Sequence, residues 1–100
     1  MHISDAQRDI VKRILVDLVP DYEVWAFGSR VHLKNLKPYS DLDLAIITQT
    51  KLDSKIYGSL KEAFSESDLP FRVDVLDWSQ TDDNFRKVIL QNYEIIQTPP

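Results

Sequence analysis

The chain has 100 residues, a net charge of −4, 43% apolar residues and no cysteine. That length carries one core, so a single domain is expected over residues 1–98, without disulfides, thiolate metal sites or cysteine nucleophiles. The acidic balance makes a nucleic-acid polymer an unlikely main ligand, because gripping its backbone takes a basic face, but it leaves room for a nucleotide. No apolar run approaches the roughly 20 residues of a membrane span. Asp5 and Asp9 stand where a secretory signal would be basic and then apolar, so an unprocessed, cytoplasmic chain is expected.

Ser4 and Gln7 form a capping-box pattern ahead of Ile10, Val11, Ile14, Leu15 and Leu18, which follow helical spacing. This predicts an amphipathic helix over 5–18 that Pro20 stops. Residues 22–27, β-branched and aromatic, predict a first strand ending at Gly28, where a positive φ or a close backbone approach is available. Ser29 is placed to cap a short helix over 30–35, whose free N–H groups would face an anion.

Residues 30–40 hold Arg30, His32, Lys34 and Lys37, the one dense basic stretch. Lys34 and Lys37 read as a solvated loop and His32 as a surface or capping residue. Arg30, next to Ser29, is a candidate phosphate cation. Residues 38–40 predict a turn into a second strand over 41–48.

Within that strand Asp41 and Asp43, two apart, project to one face while Leu42, Leu44 and Ile46 project to the other. Two carboxylates held that close repel and raise each other's pKa unless a cation intervenes. Hard oxygen donors at a strand start suit Mg²⁺, which takes one or two protein carboxylates and completes its shell with water and substrate phosphate.

Asp53 reads as the cap of a second helix through Ile56, Leu60, Ala63 and Phe64 to about residue 67, with Gly58 inside it as a mark of close packing. The break at 67–70 leads to a third strand over 71–78. Phe71, Val73 and Val75 share one face; Arg72, Asp74 and Leu76 share the other. Asp74 either faces water on an edge strand or lies beside Asp41 and Asp43 as a third carboxylate, the preferred reading. Asp77 belongs to the opposite face and the strand's end. A last helix starts at Thr81 or Asp82 and is patterned by Phe85, Val88 and Ile89; residues 93–96 form a short strand or a fraying end. Trp25 and Trp78 are core or partner-facing. The expected fold is α+β: a small mixed β-sheet of three to four strands with helices packed on one face.

Gly28-Ser29, Asp41-x-Asp43 and an aspartate in a later apolar strand together resemble the DNA polymerase β-like nucleotidyltransferase superfamily. The chain's size and the run Arg72-Val73-Asp74-Val75-Leu76-Asp77-Trp78 most resemble its minimal branch, the antitoxin-type partners of HEPN proteins. The Ser29–Asp41 spacing is one residue longer than is usual there, and His32 stands where that branch often has a second Arg. The resemblance implies that Asp41, Asp43 and Asp74 hold two Mg²⁺ ions, with Asp74 also the base, and that Gly28, Ser29 and Arg30 contact the phosphates of ATP. It further implies transfer of AMP, with loss of pyrophosphate, to a tyrosine hydroxyl of a helical HEPN-type toxin, which is thereby silenced. The alternative is a binding module of the same fold that neutralises its partner by complex formation.

Overall fold

The computed structural model describes residues 1–32 and 40–100. Helix α1 spans Asp5–Leu18, and its capping box is formed: Ser4 Oγ accepts from the Gln7 N–H, and Gln7 Oε1 accepts from the Ser4 N–H. Strand β1 is Glu23–Phe27, followed by the four-residue helix α2, Ser29–His32. Helix α2 thus begins at Ser29 rather than after it. The predicted continuation to residue 35, Lys34, Lys37, and the start of the turn at 38–39 lie outside the described residues, as do the side chains of Ser29 and His32.

Strand β2 is Leu42–Ile47, so Asp41 precedes the strand instead of opening it. Helix α3, Ser54–Ser65, is capped by Asp53, which accepts from the N–H groups of Lys55 and Ile56. Gly58 was expected to mark close packing. It does not, since a Cβ there would meet nothing within 4 Å. Strand β3, Val73–Asp77, runs into a 3-10 turn over Trp78–Gln80. Helix α4, Asp83–Gln91, and strand β4, Tyr93–Gln97, complete the chain. The segment after α4 is therefore a strand and not a frayed end.

The four strands are ordered β3-β2-β1-β4; β2 and β3 are parallel, and β1 is antiparallel to both neighbours. Facing residues point to the same side of the sheet, so the register places Asp74, Asp43, Phe27 and Tyr93 in one row across it. The next row is Leu76, Ala45, Trp25 and Ile95. The opposite face carries Val24, Ala26, Leu42, Leu44, Ile46 and Val75. It forms the main core with Val11 and Leu15 of α1 and Leu60 and Phe64 of α3.

The mixed four-stranded sheet is the α+β fold that was expected, with the two long helices on one face. Helix α4 adds to that picture: its Ile89 is buried with Phe27 and Ala45 on the other face. Trp25 and Trp78 join this second cluster as packing residues, 5.1 Å apart edge to face, and Trp25 stacks on Tyr93 at 4.2 Å.

Candidate active site

The site forms where the face under α4 turns from apolar to acidic. Along β2 the row positions run Asp43, Ala45, Ile47; along β3 they run Asp74, Leu76. Only the first position of each strand is charged. Parallel pairing sets those two positions side by side, so Asp43 and Asp74 are neighbours, as the preferred reading required. β3 is also an edge strand, so Asp74 keeps a half-exposed side chain. Asp74 thus sits on a half-exposed edge strand beside Asp43, but the three-carboxylate cluster of the preferred reading is not formed among the described residues. Asp77 points to the opposite face. Burial pushes its carboxyl up, but hydrogen bonds from Thr48, the Leu52 N–H and Ser79 outweigh this and hold it below the usual range.

Asp43 carries the strain of the arrangement. Its carboxyl is raised from 3.8 to about 6, first by burial, then by the charges of Asp74 and Asp41. Arg72 offsets this only in part. Its guanidinium pairs with Asp74 at 2.9 Å, with both side chains open to water. Arg72 stands two residues before Asp74 on the same strand face, a spacing from which this pair was readable in advance.

Gly28 closes the site on the side of β1. It adopts φ +85°, a region L side chains rarely occupy, and a Cβ there would overlap the Asp43 carboxylate. The strand-end glycine therefore takes the positive φ the sequence suggested, while the group that approaches it closely is the Asp43 side chain rather than another backbone. Helix α2 starts directly after it, with the Val31 N–H bonded to the Gly28 carbonyl at 3.0 Å.

Arg30 is turned into the fold. It is 5% exposed; its Nε donates to the Ser40 carbonyl at 2.7 Å and its Nη1 to the His2 carbonyl at 3.0 Å. The guanidinium also lies 4.0 Å from the centre of the Phe71 ring. Arg30 thereby ties the turn after Gly28 to the residue just ahead of Asp41.

Among the described residues, no three His, Cys, Asp or Glu side chains stand together closely enough to hold a metal ion. The structure brings together a pair, Asp43 and Asp74, with the charge of Asp41 acting on it from the entrance of β2. The donor chemistry fits a hard divalent cation. A carboxyl raised to about 6, first by burial and then by its acidic neighbours, is one whose ionised form such a cation would favour.

Two cavities flank Asp43. One, of about 730 Å³, reaches from Gly28 and Asp43 to α4. The other, of about 190 Å³, lies between Asp43, Asp74 and Leu76. Phe85 lines both, and nothing in the sequence reading had singled it out for the site.

The family described as Polymerase beta, Nucleotidyltransferase matches residues 11–99. A protein of Haemophilus influenzae named "Probable protein adenylyltransferase MntA" is 58% identical over 97 residues, spanning 97% of this chain and 84% of that one. Among solved structures, a toxin–antitoxin with AMP-PNP superimposes with a TM-score of 0.75 at 20% identity, covering 91% of this chain and 73% of the other. A tri-AMPylated Shewanella oneidensis HEPN toxin in complex with MNT antitoxin gives 0.70 at 19% identity, covering 96% and 73%. At those identities the two structures speak to the fold alone. The family match over nearly the whole chain and the close relative place it plainly: the chain is a member of the polymerase β-type nucleotidyltransferase family.

Proposed function

We propose that residues 1–98 form one minimal, cytoplasmic nucleotidyltransferase domain that moves AMP from ATP to a tyrosine hydroxyl of a helical HEPN-type toxin, as its antitoxin. The observation that carries this reading is the register pair Asp43–Asp74 beside the positive-φ Gly28, with the Asp43 carboxyl raised by burial and then by its acidic neighbours. The named activity of the Haemophilus influenzae relative supports the transfer. The AMPylated HEPN toxin in one neighbouring complex supports the acceptor.

In this reading Asp41, Asp43 and Asp74 would hold two Mg²⁺ ions, which neutralise charge on the transferring phosphate and on the leaving pyrophosphate. Gly28 and Ser29 supply backbone N–H groups to the phosphates from the turn that follows β1. Arg30 acts with them by fixing that turn, since its guanidinium is held by the carbonyls of Ser40 and His2. Asp74, the more open carboxylate, takes the hydroxyl proton as the acceptor oxygen bonds to the α-phosphorus and the bond to pyrophosphate breaks. Arg72 covers Asp74 through an ion pair so exposed that it is weak and readily exchanged.

The test is the mass of the partner after incubation with this protein, ATP and Mg²⁺. A gain of whole AMP units on a tyrosine is expected; an unchanged mass overturns the transfer. A second reading, a binding module that neutralises its partner by complex formation, is favoured by the Arg72–Asp74 pair and by the lack of a ready three-ligand cluster among the described residues. It predicts a silenced but unmodified partner.

A further inference from the structure

The phosphates, the metal ions and the acceptor hydroxyl account for one side of the site and leave the donor's nucleoside without a seat. We propose that the cavity between α4 and the Gly28 turn holds the nucleobase of the donor nucleotide. Phe85 is its stacking platform, and the carboxamides of Gln91 and Asn92 read its edge. This rests on the nucleotidyl-transfer reading above and extends it to base recognition.

Position is the first ground. The cavity's floor is Gly28 and Asp43, where the phosphates are proposed to lie, so a nucleotide anchored there must send its sugar and base into adjoining space. Two spaces adjoin. The one beside Asp74 and Leu76 holds about 190 Å³ and the one under α4 about 730 Å³. Ligand sites of drug size typically run from roughly 300 to 1,000 Å³, so only the second suits a nucleoside. The smaller space, against Asp74, is left for the acceptor side chain, across Asp43 from the turn that would receive the leaving pyrophosphate.

Chemistry is the second ground. Apart from Asp43, the described lining holds no charged group: its walls are Phe85, Val88, Gln91 and Asn92, with Phe27 at the back. Such a wall suits a flat, neutral group with a polar edge rather than a phosphate or a charged peptide. Phe85 is 41% exposed, and its contact with Phe27 is edge to face at 6.0 Å, so ring surface remains available. A carboxamide can pair its adjacent donor and acceptor with the N6–H and N7 of adenine, a polar edge that the apolar walls alone would leave unread.

The platform is also held in place. Asp82 caps α4 by accepting from the Phe85 N–H at 2.9 Å, and Arg86 donates twice to the Trp78 carbonyl, from Nε at 3.1 Å and Nη2 at 2.7 Å. Its guanidinium lies over the Trp78 ring. The helix that presents Phe85 is therefore fastened to the end of β3 before any ligand arrives.

Equilibrium binding of ATP and of inorganic tripolyphosphate to the full chain, each with Mg²⁺ and without partner, tests the proposal. Wild type should bind ATP more tightly than tripolyphosphate. Phe85→Ala should weaken ATP about tenfold, the order expected for one lost base stack, and leave tripolyphosphate unchanged; Phe85→Tyr should keep ATP binding. Gln91→Ala with Asn92→Ala should narrow any preference for ATP over CTP. The proposal is overturned, with the transfer reading intact, if wild type binds both probes equally or if Phe85→Ala binds ATP unchanged. Unchanged ATP binding with lost labelling of the partner would give the cavity to the acceptor instead. Equal loss of both probes in Phe85→Ala would mean that the residue only supports the turn. If wild type binds neither probe, the transfer reading and the base seat fall together.

Discussion

Gly28 and Asp43 occupy a space with room for only one side chain: a Cβ on Gly28 would lie within the van der Waals envelope of the Asp43 carboxylate. The backbone there also holds φ +85°. Gly28→Ala should therefore act twice. The left-handed conformation costs a residue with a Cβ about 1–2 kcal/mol of stability. The new methyl also displaces the Asp43 carboxylate, so activity should fall far more than stability does. Denaturant unfolding and transfer rate, measured on the same preparation, check this; equal losses in the two would contradict it.

Asp43 itself is destabilising in the metal-free protein. Its folded carboxyl titrates at about 6 against 3.8 for an unperturbed one, so the folded state binds the extra proton between those values. The stability of the native chain should then fall as pH rises from about 4 to 6 on account of this group. Asp43→Asn lacks the charge and should be more stable than wild type at pH 7.5, by about 1 kcal/mol once solvent screening is allowed for. The two proteins should converge below pH 4. Urea titrations in chelator at the two pH values measure the gap.

Asp77 shows the reverse sign. Its carboxylate accepts from the Leu52 N–H at 2.7 Å, from the Ser79 N–H at 3.1 Å and hydroxyl at 2.8 Å, and from the Thr48 hydroxyl. Burial raises it, and these donors together lower it further than burial raises it. The stabilisation is present above the ordinary aspartate range and is lost as pH falls through the lowered folded value. Asp77→Ala should cost about 1–2 kcal/mol at pH 7 by leaving these donors without their acceptor, and less near pH 2. Thermal unfolding at both pH values is the check.

Gly58 offers a gain. It lies exposed in the interior of α3 with open space where a Cβ would go. Gly58→Ala should stabilise the protein by about 0.5–1 kcal/mol through the unfolded chain's lost freedom and leave transfer unchanged. The midpoint of urea unfolding measures this.

Much of the frame could be read from local pattern, because its signals are local. The Ser4–Gln7 capping box, Asp53 as a cap, and the alternation that sets Asp74 and Asp77 on opposite faces all depend on residues within one turn or strand. What escaped was long-range. Arg30 reads as a candidate phosphate cation beside Ser29, and its contacts with the Ser40 carbonyl, the His2 carbonyl 28 residues away and the Phe71 ring carry no local signal. Phe85 and Ile89 read as an apolar stripe. Period alone says that such a stripe is covered, and not that it crosses the sheet face bearing Asp43. Gly58 misled because a helical glycine has two explanations, close packing or mere tolerance, that only the neighbouring atoms separate.

Transfer of label from α-labelled ATP to the HEPN-type partner, compared across wild type, Asp41→Asn, Asp43→Asn and Asp74→Asn with Mg²⁺ present, measures whether these carboxylates perform the chemistry. Labelling by wild type and its loss in Asp43→Asn and Asp74→Asn, with all four proteins folded and still binding the partner, is the expected result. Undiminished labelling in Asp74→Asn, or no labelling by wild type while the partner is nonetheless silenced, would contradict it.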